Sequence, residues 1–157
     1  MDWTSDIAPV LLAVGCGAAI GLERQLKHKP AGLRTNILRC LGAAVFTLLS
    51  KRMAGEQDSI TRIAAQIVTG VGFLGAGAVI QDRGGVHGLT TAATIWLVAS
   101  IGMACGARLY PLAVITTVIA IVVLIGLGQV DKYIGVGRDN GRKKEIDNQY
   151  PIMSRGW

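Results

Sequence analysis

Charged and aromatic residues are scarce in this chain of 157 residues, at 17% and 5% respectively. There are three cysteines, Cys16, Cys40 and Cys105, and their odd number and wide spacing argue against a disulfide framework or a zinc site. The two histidines, His28 and His87, have no partners at ligand spacing. No Ser/His/Asp, Cys/His or phosphate-loop arrangement is present. The sequence therefore predicts neither an enzyme nor a resident cofactor.

What the chain does contain is long apolar sequence. A membrane-spanning helix needs about 20 mostly apolar residues, and five stretches come close to that length once flanking residues are added. They are Ile7–Leu22, Ile37–Ser50, Ile63–Ile80, Leu89–Ala107 and Leu112–Val130. We predict an all-α, polytopic membrane protein, a bundle of five transmembrane helices. Residues 1–130 form the membrane domain, and 131–157 form a polar tail for which we expect little order.

The distribution of basic residues predicts the orientation of the bundle. The segment Met1–Asp6 has no basic residue, so it lacks the start of a cleaved signal peptide, and the first helix is expected to be retained. With the N-terminus outside, eleven Lys and Arg residues fall on inner segments and four on outer ones. This split predicts an N-out, C-in topology by the positive-inside rule. The same rule accounts for the net charge of +6 without nucleic acid as a partner.

Glycines recur at helical spacing in three of the predicted spans. Small residues let helix backbones approach closely in lipid, so we predict that these glycines pack helices against each other and mediate self-association. The third span carries glycines on two faces and is predicted to be central. Its G-x-G-x-x-G pattern lies inside a membrane span and so does not indicate a dinucleotide site. The predicted packing glycines are Gly17, Gly21, Gly70, Gly72, Gly75, Gly77, Gly102 and Gly106.

A polar stripe runs along the third span, because Arg62, Gln66 and Thr69 share one helical face. Two interpretations remain open. The stripe lines a polar cavity or ion path, or Arg62 reaches the outer interface while Gln66 hydrogen-bonds a neighbouring helix.

A second polar group is predicted at the cytoplasmic boundary. Glu23 ends the first span, Arg34 and Thr35 open the second, and Asp82 follows the third on the same side. Glu23 and Asp82 are weak candidates for a hard divalent cation such as Mg²⁺, which uses one or two carboxylates and keeps its waters. The alternative is that Glu23 is salt-bridged to Arg24 or Arg34.

Together these residues resemble the MgtC/SapB family of bacterial inner-membrane proteins. The resemblance covers about Ala8 to Val130. It is carried by Gly21-Leu-Glu-Arg-Gln25, Ala31-Gly-Leu-Arg-Thr35, the block from Arg62 to Gly77, and Gly88-Leu-Thr-Thr-Ala-Ala-Thr-Ile-Trp96.

The resemblance implies a five-helix membrane domain with a cytoplasmic C-terminus, a link to Mg²⁺ limitation and, in some pathogens, survival inside host cells. It implies two activities. One is regulation of other membrane proteins, including the F-type ATP synthase, and the other is Mg²⁺ transport. The family's acidic and arginine positions map to Glu23, Arg24, Arg34, Arg62 and Gln66.

One departure from the family pattern concerns the C-terminus. Members that resemble MgtC itself carry a sizeable soluble C-terminal domain, whereas only about 27 residues follow Val130 here. Any role that depends on that domain is not expected of this chain. We favour a membrane regulator or binding protein tied to Mg²⁺ homeostasis, with a Mg²⁺ transporter or channel as the alternative. A fixed charge at Arg62 opposes passage of a cation.

Overall fold

Five helices account for nearly all of the structure. The computed structural model describes residues 4–53, 57–82 and 85–128, and for residues 4, 57–63, 80–82 and 85 the backbone alone is described. The helices are α1 (Thr4–Leu26), α2 (Leu33–Met53), α3 (Gln57–Gly77), α4 (Leu89–Gly106) and α5 (Tyr110–Gly128). A two-stranded antiparallel hairpin, β1 (Ile80–Asp82) and β2 (Gly85–His87), joins α3 to α4. The predicted all-helical class is confirmed, with this hairpin where a glycine-rich turn was expected.

Three helices are long and apolar enough to cross a membrane: Ser5–Leu26, Leu89–Gly106 and Tyr110–Gly128. Within α3, the apolar part Ala64–Gly77 is shorter. The second helix extends beyond its apolar run of residues 37–50, because hydrogen bonding along its backbone continues through polar residues at both ends. The chain is therefore a helical membrane protein with at least three candidate spans.

The tightest packing lies where α2 meets α1 and α4. A Cβ atom on Gly17 would lie 2.9 Å from the Cβ atom of Cys40, and one on Gly102 would lie 2.9 Å from the Cβ atom of Ala43. The backbones approach this closely because the helices present glycine at the crossing points. Ile20 and Ile101 are fully buried beside these contacts. Helices α1, α2 and α4 thus form one close-packed unit, called the three-helix core below.

The third helix lies at the edge of this core, which corrects the prediction that it is central. Its one close glycine contact among the described residues is modest, since a Cβ atom on Gly75 would lie 3.7 Å from the Ala92 carbonyl oxygen. Phe73, on its outer surface, is 81% exposed. The central positions belong to α2, which packs on α1, α3 and α4, and to α4, which packs on α1, α2 and α3. Glycines on two faces permit two-sided packing of a helix, but they do not require both partners to come from the same chain.

Two helices end in the same way, although neither uses glycine. After α1, His28 adopts a left-handed φ of 52°, and the Lys29 N–H donates to the Arg24 carbonyl at 3.0 Å. After α4, Arg108 has φ of 66°, and the Leu109 N–H donates to the Ala104 carbonyl at 2.9 Å. Both are Schellman-type ends, which satisfy the last carbonyls and reverse the chain within a few residues. The connections from α1 to α2 and from α4 to α5 are therefore short, and α1 and α2 pack as antiparallel neighbours.

Candidate functional site

A buried polar cluster joins one end of α1 to the beginning of α2 and of α4. It consists of Glu23, Arg24, Asn36 and Thr91, and the four residues are exposed by 7%, 3%, 0% and 4%. The Arg24 guanidinium donates to the Thr91 hydroxyl at 2.8 Å, a contact across 67 positions of sequence. A charge-assisted bond of this kind fixes the α1 end against the start of α4.

Asn36 holds the turn between α1 and α2. Its side-chain amide donates to the carbonyl oxygens of Ala31 and Gly32, each at 2.8 Å. On the same turn, the Leu33 N–H donates to the Gln25 side-chain oxygen at 3.1 Å, which satisfies a free amide at the first turn of α2. These bonds set the position of α2 beside the cluster.

Glu23 is a buried carboxylate with incomplete hydrogen bonding. Its Oε1 atom lies 2.8 Å from Nζ of Lys27, one helical turn later. Neither carboxylate oxygen has a hydrogen-bond partner of good geometry among the described residues, and Nε of Arg24 also lacks one. The predicted pairing of Glu23 with Arg34 is not found, because Lys27 is closer in the helix and Arg34 is exposed.

A groove of about 740 Å³ lies between α2 and α3, and it brings other predicted residues together. Arg34, Thr35 and Gln66 all line it. Their neighbours are mostly apolar, with one further cation, Arg39. The rest of the lining is Leu38, Gly42, Ala43, Phe46, Ile67, Gly70, Val71 and Leu74.

The other predicted polar residues do not join either site. Thr69 is exposed, and its hydroxyl donates to the Ala65 carbonyl of its own helix at 3.0 Å. The backbone of Arg62 lies in α3 and that of Asp82 in β1, but both side chains lie outside the described part of the structure. Among the described residues, no group of three or more His, Cys, Asp or Glu side chains is placed to hold a metal ion.

The predicted packing glycines divide into two groups. Gly17 and Gly21 contact α2 from α1, and Gly102 and Gly106 contact α2 from α4. Gly75 faces α4 at ordinary van der Waals distance. By contrast, a Cβ atom on Gly70, Gly72 or Gly77 would meet no described heavy atom within 4 Å.

A charged cluster at the opposite end of the bundle was not predicted. Asp6 of α1 pairs with Arg52 of α2 and with Arg108, whose guanidinium lies 3.2 Å from Oδ1 of Asp6. Nearby, Nζ of Lys51 donates to the Ala107 carbonyl at 2.9 Å. The sequence did contain a signal that could have predicted this cluster. Asp6, Arg52 and Arg108 were all assigned to the outer side of the membrane, and short connections bring helix ends on one side together.

The cysteines are free and buried, as small packing residues would be. Cys16, Cys40 and Cys105 come one each from the helices of the three-helix core. They fill positions beside the glycine contacts, where Cys40 adjoins both Gly17 and Gly102.

Buried polar links between apolar helices, with glycine at the crossings, are typical of a helical membrane protein. Residues 10–133 match the family model described as the MgtC family, and the chain belongs to that family.

Three relatives illustrate the match. "Protein MgtC" of Brucella abortus (strain 2308) is 50% identical over 107 residues, covering 68% of this chain and 44% of that protein. "Putative magnesium transporter YhiD" of Escherichia coli (strain K12) is 45% identical over 122 residues, 73% of this chain and 56% of that one. "Protein MgtC" of Salmonella typhimurium (strain 14028s / SGSC 2262) is 43% identical over 150 residues, 96% and 58% respectively.

The chain spans about half the length of the curated relatives that it matches. No solved structure is a significant match.

Proposed function

We propose that the chain is a multi-pass protein of the bacterial inner membrane that serves adaptation to low Mg²⁺ by binding another membrane protein through its helices. It acts as a regulator and not as an enzyme. The observation that carries this proposal is the outer face of α3, where Gly72 meets no described atom within 4 Å and Phe73 is 81% exposed. A glycine beside a large apolar side chain on an unpacked helix suits the close approach of a second helix in lipid.

The pairing of the ionisable side chains supports a binding role for the chain over passage of an ion. Asp6 and Glu23 are the acidic side chains that the structure describes, and each is paired with a basic residue. Arg24 is bonded to Thr91 across the interior. A Mg²⁺ path needs free oxygen ligands in series, whereas Asp6 and Arg24 link different helices and Glu23 is paired within α1.

The proposed topology has five spans, with the N-terminus outside and residues 131–157 inside. The excess of basic residues on the inner segments supports it. The cluster of Asp6, Arg52 and Arg108 supports the relative arrangement, because these residues come from segments assigned to the same side.

The proposed partners are a second copy of the chain and another membrane protein, of which the F-type ATP synthase is the example implied by the family resemblance. The same resemblance extends the proposal to survival inside host cells for some relatives. Nucleic acid has no part in it. Mg²⁺ enters as the signal of the adaptation, with Glu23 and Asp82 as the residues that would bind it.

The alternative is a divalent-cation transporter, as the printed name of the Escherichia coli relative says of that protein. One observation favours it. The Glu23 carboxylate is buried without a hydrogen bond of good geometry among the described residues, so a bound cation would supply a partner for Oε2. In this reading Glu23 lies at the inner mouth, and Arg62, Gln66 and Thr69 lie on the path.

A photo-crosslinking experiment in living cells tests the regulatory proposal. A photoreactive amino acid replaces Phe73 on α3 or, as the control, Leu11 on α1, which is 63% exposed. In cells grown in low Mg²⁺, we expect a discrete adduct from position 73 and none from position 11. The mass of the adduct distinguishes a second copy from another protein.

Two leucine substitutions, at glycines without a described neighbour within 4 Å, test whether the crosslinked adduct is needed for function. Gly72→Leu should lose both the adduct and the growth advantage in low Mg²⁺, because a bulky side chain separates the two helices. Gly15→Leu, at another glycine with nothing within 4 Å, should keep both. Full growth without any adduct at position 73 would contradict the proposal.

A further inference from the structure

The groove between α2 and α3 has apolar walls and a glycine on each side. Leu38 and Gly42 face it from α2, and Gly70 and Leu74 face it from α3. A Cβ atom on Gly42 or Gly70 would meet nothing within 4 Å, so the two glycines widen the groove along its length. Space of this shape beside apolar walls suits a thin, flexible apolar ligand.

The groove also carries positive charge that no described residue of its lining neutralises. Arg34 and Arg39 line it, and the described lining includes no acidic side chain. The Nη1 atom of Arg39 is buried and has no hydrogen-bond partner among the described residues. A guanidinium group in an apolar membrane setting is costly unless an anion or acceptor reaches it. The groove therefore favours a ligand whose anionic group lies near these two arginines.

The dimensions limit where such a ligand comes from. Arg34 lies in the first turn of α2, and Phe46 lies about 18 Å further along at 1.5 Å per residue. One leaflet of the hydrocarbon core is about 15 Å thick, half of roughly 30 Å. The groove thus runs from the charged end of α2 to a depth of about one leaflet. Arginine side chains near helix ends reach toward the headgroup level, so the Arg39 guanidinium is expected to extend toward Arg34.

We propose that this groove binds one anionic phospholipid of the bilayer. An acyl chain lies between Gly42 and Gly70, and the phosphate contacts Arg39 and Arg34. A free phosphate would neutralise the charge but leave the apolar walls empty. A partner helix would have to carry an acidic residue to the depth of Arg39, which is costly in lipid. The inference does not depend on the proposed regulatory function.

Native mass spectrometry of the full chain tests the proposal. The protein is reconstituted in vesicles of equal parts phosphatidylglycerol and phosphatidylcholine, extracted in mild detergent, and assayed for retained lipid. We expect preferential retention of one phosphatidylglycerol per chain. Arg39→Gln should lower that preference about tenfold, since a charge-assisted bond is lost, and Arg39→Lys should restore part of it.

Two glycine-to-leucine substitutions distinguish lipid binding in the groove from lipid binding elsewhere on the surface. Gly42→Leu places a bulky side chain in the groove, where its Cβ atom would meet no described atom within 4 Å, and should lower retention of both lipids. Gly15→Leu, at an equally open glycine on α1, should retain lipid like the unaltered chain. Because leucine is a better helix former than glycine, neither variant is expected to lose its helix. The Gly42→Leu and Arg39→Lys results remain decisive if Arg39→Gln does not fold.

Three outcomes would overturn the proposal. The first is equal retention of the two lipids by the unaltered chain. The second is displacement of phosphatidylglycerol by inorganic phosphate with no effect of Gly42→Leu, which would indicate a phosphate site alone. The third is a dimer that carries no lipid and dissociates in Gly42→Leu, which would show that a second copy covers the groove.

Discussion

The three-helix core and α3 contain the same residue type at the same kind of spacing, but their glycines have different surroundings. In the core, Gly17 and Gly102 lie against the backbone or Cβ atoms of α2. On α3, Gly70 and Gly72 face open space. Glycine spacing therefore identifies a surface on which a backbone can be approached closely, but the spacing does not specify whether the approaching group belongs to the same chain.

The largest expected effect on stability comes from adding one carbon atom to a glycine of the three-helix core. In Gly102→Ala the new Cβ atom would clash with the Cys40 carbonyl oxygen and lie 2.9 Å from the Ala43 Cβ atom. We expect a loss of about 1–3 kcal/mol in the free energy of unfolding, the usual cost of overpacking. Unfolding of the purified protein in mixed micelles with increasing SDS measures it.

Gly70→Ala is the matched control for this substitution. It adds the same atom in open space and improves helix propensity, so it should be neutral or stabilising by up to about 1 kcal/mol. Equal destabilisation by both alanines would show that α3 is packed as tightly as the core.

Association of the chain with itself should depend on α3. In Gly72→Leu we expect the oligomer to dissociate to monomers while the SDS midpoint stays unchanged, because a Cβ atom on Gly72 would meet no described atom within 4 Å. Light scattering of the protein–detergent complex measures the mass. An unchanged oligomer would remove Gly72 from the interface.

A smaller effect is expected at the buried polar cluster. Arg24→Leu and Thr91→Val each remove one side of the 2.8 Å bond between α1 and α4. A double-mutant cycle should give a coupling energy of about 1 kcal/mol, within the range found for polar links between membrane helices. Additive effects of the two substitutions would show that the bond contributes nothing to the core.

The smallest effect is expected at the opposite end of the core. Asp6→Asn removes the ion pairs with Arg52 and Arg108, and both arginines are partly exposed. Exposed pairs contribute about 0.2–1 kcal/mol and are screened by salt. The difference in unfolding free energy should fall as salt is raised from 0.01 M to 1 M, whereas a difference that does not respond to salt would indicate a buried pair.

Much of the fold follows from the sequence because hydrogen bonding forces apolar segments in a membrane to be helices. The five apolar runs correspond to α1–α5, and Pro111 lies in the first turn of α5, where its missing N–H costs nothing. The helix ends were less predictable. The α1 helix continues through Glu23, Arg24 and Gln25, because polar residues do not interrupt backbone hydrogen bonding.

The partners of individual side chains could not be read from the sequence. Glu23 has several basic residues nearby, and the choice of Lys27 depends on the helix continuing for another turn. The bond from Arg24 to Thr91 joins positions far apart, and it exists because α1 and α4 both pack on α2. The edge position of α3 depends on three-dimensional packing that glycine spacing alone does not determine.

The central claim is that the buried polar groups serve the structure and binding of the helices and do not conduct Mg²⁺. Its most direct test is Mg²⁺ flux into proteoliposomes that contain the full chain, beside empty vesicles and vesicles with Glu23→Gln. The account predicts uptake no greater than in empty vesicles for both proteins, although Glu23→Gln should still lose the growth advantage in low Mg²⁺. Uptake that requires the protein and is abolished by Glu23→Gln would contradict the account and establish a transporter.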